Sequence, residues 1–223
     1  MKVLVACEES QVVCTAFRER GHEAYSCDII DCSGGHPEWH IKQDVLPLLD
    51  GRCEFHTADV QAHKIEGKWD LIIAFPPCTF MSKAGARWMF PKGELSKERY
   101  AKAMAAKEFF MQIFNADCDR IAIENPRPLK IVELPEPQQV IQPYQFGHPY
   151  SKATCLWLKN LSPLEPTEIL TEYKPYCPSN TGGISRGQSH NSGGAVRGDD
   201  AVNRSKTFDG IGGAMAEQWG VKE

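Results

Sequence analysis

Apolar positions in this chain fall into short solid runs separated by helical stripes. Lys2 to Ala6 is one such run, and from about Ser10 to Arg20 the residues Val12, Val13, Ala16 and Phe17 share one side of a helix. Gly21 then stands where a helix commonly ends, and Glu23 to Cys27 reads as a second strand closing on Asp28. Trp69 to Phe75 is a solid run of the kind found in strands buried on both faces. Ser96 to Asn115 is the clearest helix, with Tyr100, Ala103, Met104, Phe110, Met111 and Phe114 forming a core-facing stripe. Arg120 to Ile123 and Ala153 to Lys159 follow as strands, and Ile211 to Trp219 as a last helix. Alternating strands and helices predict an α/β fold built on a doubly wound, largely parallel sheet.

The run ending at Phe75 stops at Pro76-Pro77-Cys78. Two prolines fix the backbone and remove two N–H donors, so the strand must end there. The next side chain is a thiol at the carboxyl edge of a parallel strand, where open α/β sheets bind ligands. Glu124-Asn125-Pro126 repeats the pattern after the next strand, with a carboxylate at its end and a proline closing the turn. A strand-end cysteine alone is usually a small buried hydrophobe. With an acid on the neighbouring strand end it becomes a candidate nucleophile.

The first strand–helix–strand unit carries Asp28 roughly 20 residues beyond its first loop, the shape of a nucleotide-type cofactor site. The loop Cys7-Glu8-Glu9-Ser10-Gln11 lacks the glycines that bring backbone against a pyrophosphate. That disfavours NAD and ATP and suits a cofactor without phosphate. S-adenosylmethionine fits, with Asp28 accepting from its ribose hydroxyls and Glu8 or Glu9 facing its ammonium. For an adenine contact, Asp44 in His40-Ile41-Lys42-Gln43-Asp44-Val45 is preferred to Asp59. Taken alone, the same loop reads as ordinary solvated surface.

Composition narrows the classes. A chain of 223 residues at 42 % hydrophobic content predicts one domain over 1–223 with a full core. Its net charge of −4 provides no global basic field, so any contact with nucleic acid must be local. No apolar run approaches membrane-spanning length. The segment Met1 to Glu8 turns acidic too early for a secretion signal, and nine cysteines without paired spacing suit reduced thiols in a cytoplasm. Over about 179–206 the composition shifts to Gly, Ser and Asn, with Arg186, Arg197, Arg204 and Lys206 scattered through it. Such a stretch is expected to be a flexible, low-complexity insertion. Cys27, Cys32, His36, His40, Cys53, His56 and His63 crowd one region, but no tight Cys-x-x-Cys knuckle accompanies them. They read as scattered residues of a surface insertion, a structural zinc being the alternative, and no metal is assigned.

Together these pieces resemble the cytosine-5 DNA methyltransferases, especially the short members encoded by bacteriophages and prophages. Pro77-Cys78-Thr79-Phe80-Met81-Ser82-Lys83-Ala84-Gly85 is similar to the family's Pro-Cys loop, and Glu124-Asn125-Pro126 to its Glu-Asn-Val element. Gly147-His148-Pro149-Tyr150-Ser151-Lys152-Ala153-Thr154 is similar to its Gly-Val-Pro-Gln-x-Arg-x-Arg element, with Lys152 at the first arginine and Thr154 at the second. Thr207-Phe208-Asp209-Gly210-Ile211 resembles its last motif, which returns to the cofactor. The resemblance implies an S-adenosylmethionine-dependent methyltransferase fold with a minimal target-recognition segment. It implies Cys78 as nucleophile, Glu124 as the acid on the pyrimidine, Lys152 at its O2, and Asn125 fixing the turn. It implies cofactor contacts from Cys7, Glu8, Glu9, Ser10, Asp28, Ile29, Asp44, Phe75 and Pro76. Ser82, Arg87, Arg186 and Arg197 are the implied contacts to a DNA substrate whose cytosine is flipped out or single-stranded. With so little chain for target recognition, low sequence specificity is expected, or recognition by a separate protein. Transfer of a modified alkyl group, action on free cytosine nucleotides, and a non-catalytic cofactor-binding partner protein are the competing readings.

Overall fold

The computed structural model describes residues 1–176 and 206–221. Arg186, Arg197 and nearly all of the insertion expected at about 179–206 lie outside the described residues. In chain order the elements are β1 (Lys2–Ala6), α1 (Val12–Glu19), β2 (Glu23–Asp28), β3 (His40–Lys42), β4 (Cys53–His56), β5 (Ala62–Ile65) and β6 (Leu71–Ala74). There follow α2 (Ala86–Met89), α3 (Lys97–Phe114), β7 (Ile121–Pro126), β8 (Gln139–Ile141), β9 (Tyr150–Ser151), β10 (Thr154–Lys159), β11 (Lys174–Pro175) and α4 (Asp209–Trp219).

Seven strands make one sheet in the order β3-β2-β1-β6-β7-β10-β8. The first five in that order are mutually parallel, whereas β10 runs antiparallel to both β7 and β8. The winding reverses between β1 and β6, where Ala6 pairs with Ala74, so the crevice beyond those two strand ends is the topological switch point.

Alternation along the strands fills two cores. Leu4, Ala6, Ile72, Ile121 and Ile123 face α3, packing with Phe110, Ile113 and Trp157. Val3, Val5, Leu71 and Ile73 face the other way, against Val13 and Phe17 of α1 and Met215 and Trp219 of α4. Helices thus cover both faces, as the near-continuous apolar strands require.

Two boundaries differ from expectation. Helix α1 begins at Val12, not Ser10, because Gln11 takes a left-handed conformation (φ 59°) and the Glu8 carboxylate caps the first turn. Strand β7 does not turn at Glu124 but continues to Pro126, since β10 lies alongside with Thr154 opposite Pro126 and Cys155 opposite Asn125. The Cys/His-rich region is spread over β2, β3 and the β4–β5 hairpin. Among the described residues no three His, Cys, Asp or Glu side chains converge to hold a metal. No described helix is long and apolar enough to cross a membrane.

Candidate active site

The thiol-bearing loop and the acid-bearing strand end are fastened together at the carboxyl edge of the sheet. Because β6 and β7 are parallel neighbours with Ala74 opposite Ile123, their exits leave side by side. Asn125, fully buried, donates from Nδ2 to the Pro76 carbonyl at 3.0 Å. The zipper continues outward: Leu129 N donates to Met81 O at 2.7 Å, Lys83 N to Arg127 O at 2.9 Å, and Ser82 bridges to Pro128. Inside the loop, Met81 N and Ser82 N both donate to the Cys78 carbonyl, which makes a tight turn that leaves Cys78 partly exposed. Met81 is fully buried and anchors this turn in the core.

Glu124 projects into a small cleft with Lys152, Thr154, Pro143, Phe208 and Ile211 on its walls. Burial pushes its carboxyl above the usual range, a tendency opposed by the Lys152 charge and by the Thr154 hydroxyl, which donates to Glu124 Oε1. The Lys152 ammonium lies 5.6 Å from the Tyr176 ring centroid and 5.8 Å from that of Phe208. The cleft has about 20 Å³ of space, room for about one water molecule.

The second cluster lies at the ends of β1, β2 and β3. Cys7, in a left-handed conformation (φ 58°), follows β1; its thiol is pushed up by burial first and then by the charges of Asp28, Cys27 and Asp44. Asp28 and Asp44 likewise bear on Cys27, raised to about 12 chiefly by burial. Both carboxylates therefore share one edge with Cys7, and Ile29 beside them is 73 % exposed. The loop carrying Ile29 is held from beneath by buried His40, whose Nε2 is 2.9 Å from Ile30 O and whose Nδ1 is 2.9 Å from Ser26 Oγ. Phe75 and Pro76 complete this edge, with Phe75 N donating to Ala6 O at the switch point.

These residues fit a nucleoside without phosphates. Two carboxylates and an exposed isoleucine offer acceptors for hydroxyls and an amine, and an apolar face for a ring. The same acidic edge repels a pyrophosphate. Glu8 does not belong to this surface. Its oxygens accept from Val13 N at 2.6 Å and Cys14 N at 3.2 Å, and burial raises its pKa to about 7. Of the acidic pair only Glu9, with Ser10, remains partly exposed on the loop.

Among the expected substrate contacts, Ser82 is buried within the zipper, whereas Arg87 is exposed on α2. Three contributors escaped the sequence pattern. Thr154 holds the acid from the first position of β10, a role that depends on the pairing of β10 with β7. His148 Nε2 accepts from Gly210 N at 2.9 Å and so fastens the start of α4 beside the cleft. Phe208 packs against His148, Tyr150 and Tyr176, and the neighbouring Lys206 Nζ reaches Ser33 Oγ at 3.3 Å on the loop after β2. The chain thus returns between the cleft and the carboxylate edge.

No protein-family model matches this chain. Among curated proteins, none is significantly similar to it.

Proposed function

We propose that this protein transfers a methyl group from S-adenosylmethionine to C5 of cytosine in DNA through a covalent Cys78 adduct. The reading is carried by the Asn125–Pro76 hydrogen bond, which locks the Cys78 turn to the strand end bearing a half-buried Glu124. Support also comes from the carboxylate edge of Asp28 and Asp44, beside the switch point at the ends of β2 and β3 and chemically suited to the cofactor's nucleoside.

Cytosine C5 is too weak a nucleophile to take a methyl group unaided. Addition of the Cys78 thiolate to C6 forms an S–C bond and turns the ring into an enamine. Electron density moves onto N3 and O2 as this happens. Glu124, whose carboxyl desolvation pushes above its usual range, donates as the acid to N3 and accepts from the exocyclic amine, while Lys152 donates to O2. If bound at the carboxylate edge, S-adenosylmethionine would supply an electrophilic methyl for C5, its S–CH3 bond breaking to leave S-adenosylhomocysteine. Transfer of the C5 proton to water then breaks the C6–S bond, expels Cys78 as thiolate and restores the aromatic ring. Asn125 touches no reacting atom and works by positioning the thiol turn. The target base must leave its stack to meet these groups.

Mass spectrometry of DNA treated with the protein and S-adenosylmethionine tests this directly. The expected product is 5-methylcytosine at many sequence contexts. A heavier substituent, label found only in dCMP, or no product at all would overturn the reading in favour of alkyl transfer, a nucleotide substrate or a binding module respectively.

A further inference from the structure

The loop after β1 bends without glycine. Cys7 and Gln11, both carrying side chains, take left-handed conformations at φ 58° and 59°, a region that L-residues enter only under strain. Such a bend persists only where its surroundings hold it, and the loop after β2 does so. Ser33 N donates to Glu9 O at 2.8 Å, and His36 N donates to Gln11 Oε1 at 3.0 Å. Gln11, fully buried, returns a bond from Nε2 to His36 O at 2.8 Å and reaches Ser26 Oγ at 3.2 Å. Gly34 lies so close that a Cβ there would stand 2.5 Å from Gln11 Cβ and 2.6 Å from the Ser10 carbonyl oxygen. Past Ser26, the contacts run on through His40 to the Ile30 carbonyl. One buried amide thus ties the loop bearing Glu9 and Ser10 to the stretch bearing Asp28 and Ile29, which together frame the carboxylate edge.

We propose that residues 33–36 are a brace for the loop after β1, with Gln11 and Gly34 as positioning residues for the nucleoside cofactor. Glycine-rich cofactor loops enter left-handed conformations freely. This chain enters them by leaning the bend on a second loop, and a primary amide, which donates and accepts at once, clips both backbone groups of His36. Gln11 has no exposed surface to offer a ligand. It acts by fixing where Glu9, Ser10 and Ile29 stand. Gly34 acts by lacking the Cβ that would push the two loops apart. The inference deepens the methyltransfer reading and rests on it only for the identity of the ligand that the loops receive.

Calorimetric titration with S-adenosylhomocysteine isolates the brace from catalysis. Gln11→Ala and Gly34→Ala are each expected to bind about tenfold more weakly than the native protein. Gly67→Ala, with nothing within 4 Å of its added Cβ, should bind as the native protein does. Gln11→Gly relieves the left-handed strain and should melt above Gln11→Ala, yet lose the same affinity, because the clip on His36 is gone from both. A glutamine that served stability alone would instead recover affinity together with melting temperature. That recovery, or native affinity in Gln11→Ala and Gly34→Ala, would overturn the brace. Hydrogen exchange without ligand tests the same contacts independently. The Ser33 and His36 amides should exchange about tenfold faster in Gln11→Ala than in the native protein; unchanged protection there would also overturn the brace. A native protein that takes up no S-adenosylhomocysteine but shows the expected exchange removes the cofactor reading and leaves the brace standing. Native uptake with indifferent variants removes the brace alone.

Discussion

Two glutamates, Glu8 buried and Glu124 half-buried, serve different ends through the same physics. Desolvation favours the neutral acid in each, yet Glu8 spends its oxygens on the start of α1 while Glu124 faces a cleft. A carboxyl raised from 4.5 to about 7 on folding binds its proton more tightly in the folded state. Its contribution is therefore full below the unfolded value and is lost as pH rises through about 7. Urea titrations should show wild type losing of the order of 3 kcal/mol relative to Glu8→Gln between pH 5 and pH 9. No pH-dependent difference would mean that Glu8 is not buried at the helix start. Asn125 gives a second residue-scale test. Alanine there strips the Pro76 carbonyl of its donor and should cost about 1–3 kcal/mol in denaturant midpoint. Adduct formation should slow further than this loss of stability explains, because the thiol turn is no longer fixed.

Among the elements, those set by local pattern were legible in the sequence and those set by partners were not. Helix α3 was readable to within a residue, because Ser96 caps it and its stripe packs as a core. Strand β7 runs three residues beyond its apolar stretch, since β10, distant in sequence, supplies the pairing for Glu124, Asn125 and Pro126. The thiol and acid could be nominated from their strand-end positions, but the Thr154 hydroxyl on Glu124 and the Phe208 wall depend on long-range packing. Glycines in α4 allow a paired test. A Cβ on Gly210 would lie 2.0 Å from the Phe146 carbonyl, whereas nothing lies within 4 Å of one on Gly213. Gly210→Ala should destabilise by about 1–3 kcal/mol in thermal melts, while Gly213→Ala should stabilise by up to about 1 kcal/mol. Equal effects would show that α4 is not seated against the cleft as described.

At the scale of the whole molecule, function follows from where the winding reverses. Parallel strands deliver Cys78, Glu124, Asp28 and Asp44 to one edge, where antiparallel β10 begins with Thr154, and the switch between β1 and β6 separates the carboxylate side from the thiol side. Charge is divided along the same edge: acidic where a phosphate-free nucleoside would sit, basic along the segment after Cys78. Net charge alone conceals this division, which is why composition excluded a global nucleic-acid field without excluding a local one. The central claim is that the Cys78 sulfur bonds to a cytosine ring. Incubation with S-adenosylmethionine and an oligonucleotide containing 5-fluorocytosine, followed by denaturing mass measurement, tests it most directly. A stable protein–DNA adduct that disappears in Cys78→Ser is the predicted result; no adduct with the native protein, or one that persists in Cys78→Ser, would contradict it.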